Sequence, residues 1–158
     1  MSTPAIKFLK QQGIDFKIIR YQCDIKGAQF AADATGYPLE QTIKTLVLDL
    51  GNKSYGLALM PGHRQLNLKR LAKAAGVKKA DMTEPVVAER LTGYLVGGIS
   101  PFGTRRPLPA IMETELTTHD HVVINGGRRG TMLHMRPEDI IDVLDCRVAT
   151  IADTGSNS

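Results

Sequence analysis

The chain reads as an α+β fold, a mixed, largely antiparallel, barrel-like sheet with short flanking helices. Three observations predict it. Strand-like runs come in pairs closed by glycine turns, as in TIKTLVLDL-GNK-SYGLALM and HVVIN-GGRRG-TMLHM. Helix-like runs are short and lie scattered between those pairs. No regular strand–helix–strand alternation links them, which disfavours a doubly wound parallel sheet.

The elements follow in order. Thr3 caps a helix with Pro4 at its first position, Ile6 and Leu9 on its apolar side and Gly13 at its end. Ile14 to Tyr21 alternates, with Ile14, Phe16 and Ile18 against Asp15 and Lys17, and predicts a half-buried strand. Gly27 to Thr35, containing Phe30, reads as an Ala-rich helix broken by Gly36-Tyr37-Pro38. Thr42–Leu50 and Ser54–Met60 form a hairpin that Pro61-Gly62 ends. Asn67 caps a helix through Leu68, Leu71, Ala72 and Ala75, stopped by Gly76 and rich in lysine and arginine. Thr83 caps a short helix through Val86, Val87, Arg90 and Leu91, closed by Gly93. Leu108–Met112 is a strand and Thr114–Thr118 a turn. His121–Asn125 and Thr131–Met135 are strands around a glycine turn. Pro137 opens a helix with Ile140, Ile141 and Leu144 inward, and Arg147–Ile151 is a last strand.

With 158 residues, 42% apolar and 23% charged, the chain fits one domain over residues 1–151 and a disordered polar tail over 152–158. No apolar run approaches a membrane span, and the start lacks a signal peptide's apolar segment, so a cytoplasmic protein is expected. Cys23 and Cys146, with the scattered His63, His119, His121 and His134, make no metal-ligand pattern; free thiols, no metal and no cofactor are expected. The net charge of +4 is compatible with a polyanionic partner. Aromatic content of 5% without Trp argues against a broad base-stacking surface.

The G-x-S-x-G elbow, the P-loop, H-E-x-x-H and C-x-x-C are all absent. Asp49, Asp81 and Glu113 read as surface charges. What remains is organised around Gly93–Pro101, GYLVGGISP. Paired glycines in an apolar run mark a bulged core strand or bare backbone lying against a ligand. Lys44, among Ile43 and Leu46, either snorkels to water or lines a pocket. Tyr21 rims the core or faces a cavity. The Gly126–Gly130 turn, with Arg128 and Arg129, suits an anion or an ordinary hairpin. Such a set can hold a carbonyl and a phosphate. It offers no evident protein nucleophile, so water or part of the substrate would attack.

Taken together, the Tyr21 strand end, IKTL around Lys44, GYLVGGISPFG and GGRRG resemble the YbaK/prolyl-tRNA-synthetase-associated editing family, free-standing aminoacyl-tRNA deacylases. The likeness runs from about Thr3 to Ile151 and is strongest to the bacterial cysteinyl-tRNA(Pro) deacylases. It implies hydrolysis of the ester joining a mischarged amino acid to tRNA, either Cys-tRNA(Pro) or another small aminoacyl group. The implied partners are the acceptor end of aminoacyl-tRNA and prolyl-tRNA synthetase, with the protein a monomer or homodimer. Lys44 matches the family's strand lysine, which handles the terminal nucleotide or ester carbonyl. Gly97 and Pro101 match the ends of its G-x-x-x-P loop, with Gly98, Ile99 and Ser100 inside and their amides facing the acyl group. Tyr21, Phe30 and Thr45 match pocket-lining positions, and Gly127, Arg128 and Arg129 belong to the basic turn. Where relatives carry an acidic residue after that turn, this chain has Met132, with His134 two residues on along the same strand face. Met132 leaves a second reading open, a module of the same fold that holds tRNA or a synthetase without cleaving.

Overall fold

A computed structural model of the chain describes residues 2–21, 32 and 35–153. Cys23, Phe30, almost all of the expected Gly27–Thr35 helix and the tail from Thr154 onward lie outside the described residues.

Helix α1 (Pro4–Gln11) starts as its sequence dictates: the Thr3 hydroxyl accepts from the Ile6 N–H at 3.1 Å, and Ala5, Ile6 and Leu9 are buried. Strand β1 is confined to Lys17–Arg20. Ile14 and Phe16 pack on the core ahead of it. Ile18, expected inward, is 38% exposed, because β1 is an edge strand with one neighbour among the described residues. The hairpin of β2 (Thr42–Gly51) and β3 (Ser54–Pro61) turns through Asn52 and Lys53, both at positive φ. Helix α2 (Leu68–Ala75) is capped by Asn67, whose side-chain oxygen accepts from the Arg70 N–H at 2.9 Å. A two-residue strand β4 (Asp81–Met82), too short for sequence periodicity to reveal, pairs with β2.

Helix α3 (Pro85–Thr92) begins later than expected. Glu84, not Thr83, holds the cap position, and the Thr83 hydroxyl donates to the Val47 carbonyl instead. Proline at the first helical position sets that start. The register leaves Val86 70% exposed and buries Ala88 and Leu91. Strand β5 (Ala110–Glu113), a 3-10 turn (Thr114–Thr118), β6 (Val122–Arg128), β7 (Thr131–Met135), α4 (Pro137–Leu144) and β8 (Arg147–Ala149) complete the chain. Burial and the neighbouring Asp145 push the Cys146 thiol, just before β8, up to about 12.

One eight-stranded sheet joins these strands in the order β1-β7-β6-β2-β3-β5-β8, with β4 on β2. The β1–β7, β7–β6, β2–β3 and β2–β4 pairs are antiparallel. The β6–β2, β3–β5 and β5–β8 pairs are parallel. The sheet is open, ending at β1 and β8 among the described residues. One face packs on α1 and α4 through Ile6, Leu9, Ile43, Ile124, Leu133 and Ile140. Against the other, Leu48, Ala58 and Met60 bury Leu71 and Ala72 of α2.

Glu113 is the clearest departure from the sequence reading. Expected at the surface, it is 3% exposed. Its carboxylate accepts from the N–H groups of Glu115 at 2.7 Å and of Ile151 and Ala152 at 2.9 Å. It fastens the C-terminal segment to β5, a structural task rather than a surface one. Among the described residues no helix is long and apolar enough to cross a membrane.

Candidate active site

The segment following α3 is a loop of turns, not a bulged strand. Gly93 ends the helix at φ 81°. The Tyr94 ring is buried and its hydroxyl donates to the Phe102 carbonyl at 2.5 Å, tying the two ends of the loop together. Burial raises the Tyr94 phenol above its ordinary range, so it stays a donor. Between those ends, the Gly98 N–H donates to the Leu95 carbonyl at 2.8 Å, closing a tight turn with Gly97 at φ 95°. The Glu89 carboxylate accepts from the Val96 N–H at 2.8 Å.

This loop lies directly on the basic turn. A Cβ on Gly98 would stand 2.7 Å from the Arg128 Cα and 3.1 Å from the Arg129 nitrogen. A Cβ on Gly127, at φ 106°, would stand 2.9 Å from the Tyr94 ring. Only bare backbone permits this approach. Asn125 fastens it. Its side-chain oxygen accepts from the N–H groups of Gly127 at 2.7 Å and Arg128 at 3.1 Å, and its amide donates to the Gly97 carbonyl at 3.2 Å. The Thr3 hydroxyl holds the same turn from α1, donating to the Gly126 carbonyl at 2.5 Å. Loop and turn enclose a cleft of about 530 Å³ lined by Leu95, Val96, Gly98, Gly127, Arg128 and Arg129. Both arginines are exposed.

Gly98 was expected to offer its amide to a ligand, but that N–H is spent inside the turn. The next two amides, of Ile99 and Ser100, donate to no oxygen among the described residues. Ile99 anchors them by packing its side chain into two core clusters. Ser100 is fully buried, and its hydroxyl accepts from the Phe102 N–H at 3.3 Å. Pro101 is buried too and contributes rigidity rather than a lining surface.

Strand register places the other expected residues. Thr42 pairs with Val123, Val123 with His134, and Asn125 and Ile19 with Met132. Paired residues share a face and alternate residues return to it, so Lys44, Val123, Asn125, Met132 and His134 lie on one face. Lys44 is half-buried, and burial lowers its ammonium below the ordinary lysine value. Met132 is 2% exposed and packs with Val123, Ile19, Tyr21 and Tyr37. Tyr21 also donates its backbone N–H to the Gly130 carbonyl at 2.9 Å, joining β1 to the basic turn. His134 is lowered by burial, then by His121 and Lys17.

Thr45, expected in the pocket with Lys44, is the next residue on the strand and faces the opposite way, pairing with Leu59 over the main core. Its hydroxyl oxygen is buried without a partner among the described residues. Lys44, Tyr21 and Met132 are also absent from the lining of the loop–turn cleft. The site is therefore two surfaces, a sheet face and a cleft, meeting where Asn125 holds Gly97.

Asn125 was missed by the motif reading, although Asn before Gly-Gly is a known turn signal, its side chain bonding backbone two residues on. Asn125→Ala should reduce kcat about tenfold by removing three hydrogen bonds worth roughly 0.5–1.5 kcal/mol each. Asn125→Asp, which keeps the acceptor and loses the donor to Gly97, should fall between the two. The measurement is kcat and KM beside Tm; a loss of Tm with unchanged kcat would make Asn125 a stability residue alone.

Residues 23–143 match the model of the aminoacyl-tRNA editing domain. The chain is 32% identical over 152 residues to EbsC of Enterococcus faecalis, named as a Cys-tRNA(Pro)/Cys-tRNA(Cys) deacylase, covering 94% of this chain and 92% of that one. It is 25% identical over 142 residues to the multifunctional Ser/Thr-tRNA deacylase ProXp-y of Escherichia coli strain K12, covering 87% and 84%. A crystal structure described as a trans-editing enzyme for prolyl tRNA synthetase superposes with a TM-score of 0.87 at 26% identity, over 97% of this chain and 99% of that one. Fold and sequence agree, and the chain belongs to the aminoacyl-tRNA editing domain family.

Proposed function

We propose that this protein is a trans-acting deacylase that cleaves the ester between tRNA and a small, wrongly attached amino acid, with Cys-tRNA(Pro) the first candidate. The observation that carries this reading is the amide of the half-buried Ile99, which donates to no oxygen among the described residues and sits on a glycine loop braced against the basic turn. A fixed backbone donor suits a carbonyl oxygen that gains charge during attack. The attacking atom is water or, for a cysteinyl substrate, the substrate's own thiol. It adds to the acyl carbon, the carbonyl oxygen takes up the charge at the loop, and the terminal ribose oxygen leaves with a proton. Proximity favours an attacking group carried by the substrate itself.

Lys44 supplies positive charge on the neighbouring sheet face and holds the terminal nucleotide's phosphate or the ester carbonyl. Arg128 and Arg129, exposed at the cleft, hold backbone phosphates of the acceptor end. Tyr21 and Met132 supply apolar walls. A buried methionine at position 132 gives the pocket no carboxylate to anchor the substrate amine, so size becomes the main filter. One methylene is worth only about 1–3 kcal/mol, and the pocket should accept several small amino acids. Prolyl-tRNA synthetase is the partner that would supply the mischarged tRNA.

The test is a panel of aminoacyl-tRNAs incubated with the purified protein. Cysteinyl, seryl, threonyl and alanyl esters should be cleaved faster than in buffer, and bulky aromatic esters should not. Met132 favours one alternative, a module that binds without cleaving. Salt-dependent tRNA binding with no ester loss across the panel would establish that alternative and sink the deacylase.

A further inference from the structure

The Lys44 face carries a second feature that the resemblance does not assign. The His134 and His121 rings lie 4.6 Å apart and 11° from parallel. Tyr37 meets the His134 ring at 5.1 Å. His134 is half-buried in this ladder and His121 stands at its exposed end. The Gln41 side chain donates to the His121 carbonyl at 3.0 Å and fixes the backbone there. Lys17 lies opposite His134 across the β1–β7 pair. An open cleft of about 610 Å³ runs alongside, lined by His121, His134, Lys17 and Arg136, with Asp15 and Asp139 also on its walls.

We infer that this ladder is a docking platform for the unpaired nucleotides preceding the terminal adenosine of the tRNA. A base continues the stack on the exposed face of His121 while Lys17 and Arg136 hold phosphates. Single-stranded RNA is bound by this chemistry, bases laid on aromatic or histidine rings beside cations that follow the backbone. The neutral imidazole favoured at His134 suits a stack, since it carries no charge to keep hydrated. The position fits as well. His121 precedes Asn125 by four residues, about 13 Å at the rise of a strand, a span that a few unpaired nucleotides bridge from the loop amides. The low content of Phe, Tyr and Trp rightly excludes a broad stacking surface, but histidines escape that count and build a narrow one.

The inference deepens the deacylase reading and rests on it for the choice of ligand. It is tested by fluorescence anisotropy with a labelled single-stranded oligoribonucleotide ending in CCA, against native protein, His121→Ala and His121→Phe. Binding should weaken roughly tenfold in His121→Ala, the scale of one lost stack, and return in His121→Phe. A fully paired RNA of the same sequence should not distinguish the three. With mischarged tRNA, His121→Ala should raise KM by a similar factor and leave kcat unchanged. No binding by the native protein, equal binding by all three, or a loss that Phe does not restore would each overturn it. Ring-dependent binding without any ester cleavage would uphold this platform and refute the deacylase.

Discussion

Gly98→Ala should abolish ester cleavage while the rest of the fold survives. The added methyl carbon would meet the Arg128 Cα at 2.7 Å and the Arg128 carbonyl carbon and Arg129 nitrogen at 3.1 Å, all of them backbone. Flexible side chains can step aside, but these atoms are held by the Asn125 bonds and by the β6–β7 pairing. The loop must therefore lift from the turn, carrying the Ile99 amide out of line. Overpacking of this kind costs about 1–3 kcal/mol in stability. Losing one aligned donor lowers turnover by about 10²–10³. Gly97 offers a contrast. It sits at φ 95°, so alanine there strains the backbone itself, whereas Gly98 is excluded by space alone. The measurements are single-turnover deacylation of the best substrate in the panel and a thermal melt. A Gly98→Ala protein that cleaves at the native rate would remove the braced loop from the mechanism.

Lys44→Met should separate activity from stability in opposite directions. Burial disfavours the ammonium and lowers its pKa from 10.5. Below that lowered value both folded and unfolded chains are protonated, and the folded state bears the whole cost of the buried charge. As pH rises toward 10.5 the folded chain sheds its proton first, so this cost is progressively relieved and stability increases. At neutral pH, an apolar side chain of similar length removes the cost, and Tm should rise by about 2–4 °C for each kcal/mol recovered. Activity should fall by about 10² or more with the loss of a preorganised charge at the substrate. The native protein should also lose kcat/KM on the alkaline side, at a pH below the ordinary lysine value, as the ammonium is neutralised. A Lys44→Met protein that is both less stable and fully active would assign the lysine to packing and not to the site.

The candidate parts of the site stood out in the sequence because each breaks a local rule. Paired glycines in an apolar run, a lysine in a buried strand and arginines in a glycine turn all conflict with ordinary strand chemistry. Such conflicts mark function or close approach. The helix starts at Thr3 and Asn67 and the Asn52 hairpin were legible for the same local reason, since caps and turns are decided by neighbours within four residues.

Tertiary structure decided how those parts combine. The β6–β2, β3–β5 and β5–β8 pairs are parallel and join segments far apart in sequence, so no local pattern announces them. The β6–β2 and β6–β7 registers together put Lys44 on the face of Asn125 and Met132, and alternation then sends Thr45 to the opposite side. Glu113 looked like any surface carboxylate until the C-terminal segment brought two N–H groups to it. Residue type tells what chemistry a position can perform. Which positions perform it together depends on contacts across the whole chain, which only the folded backbone fixes.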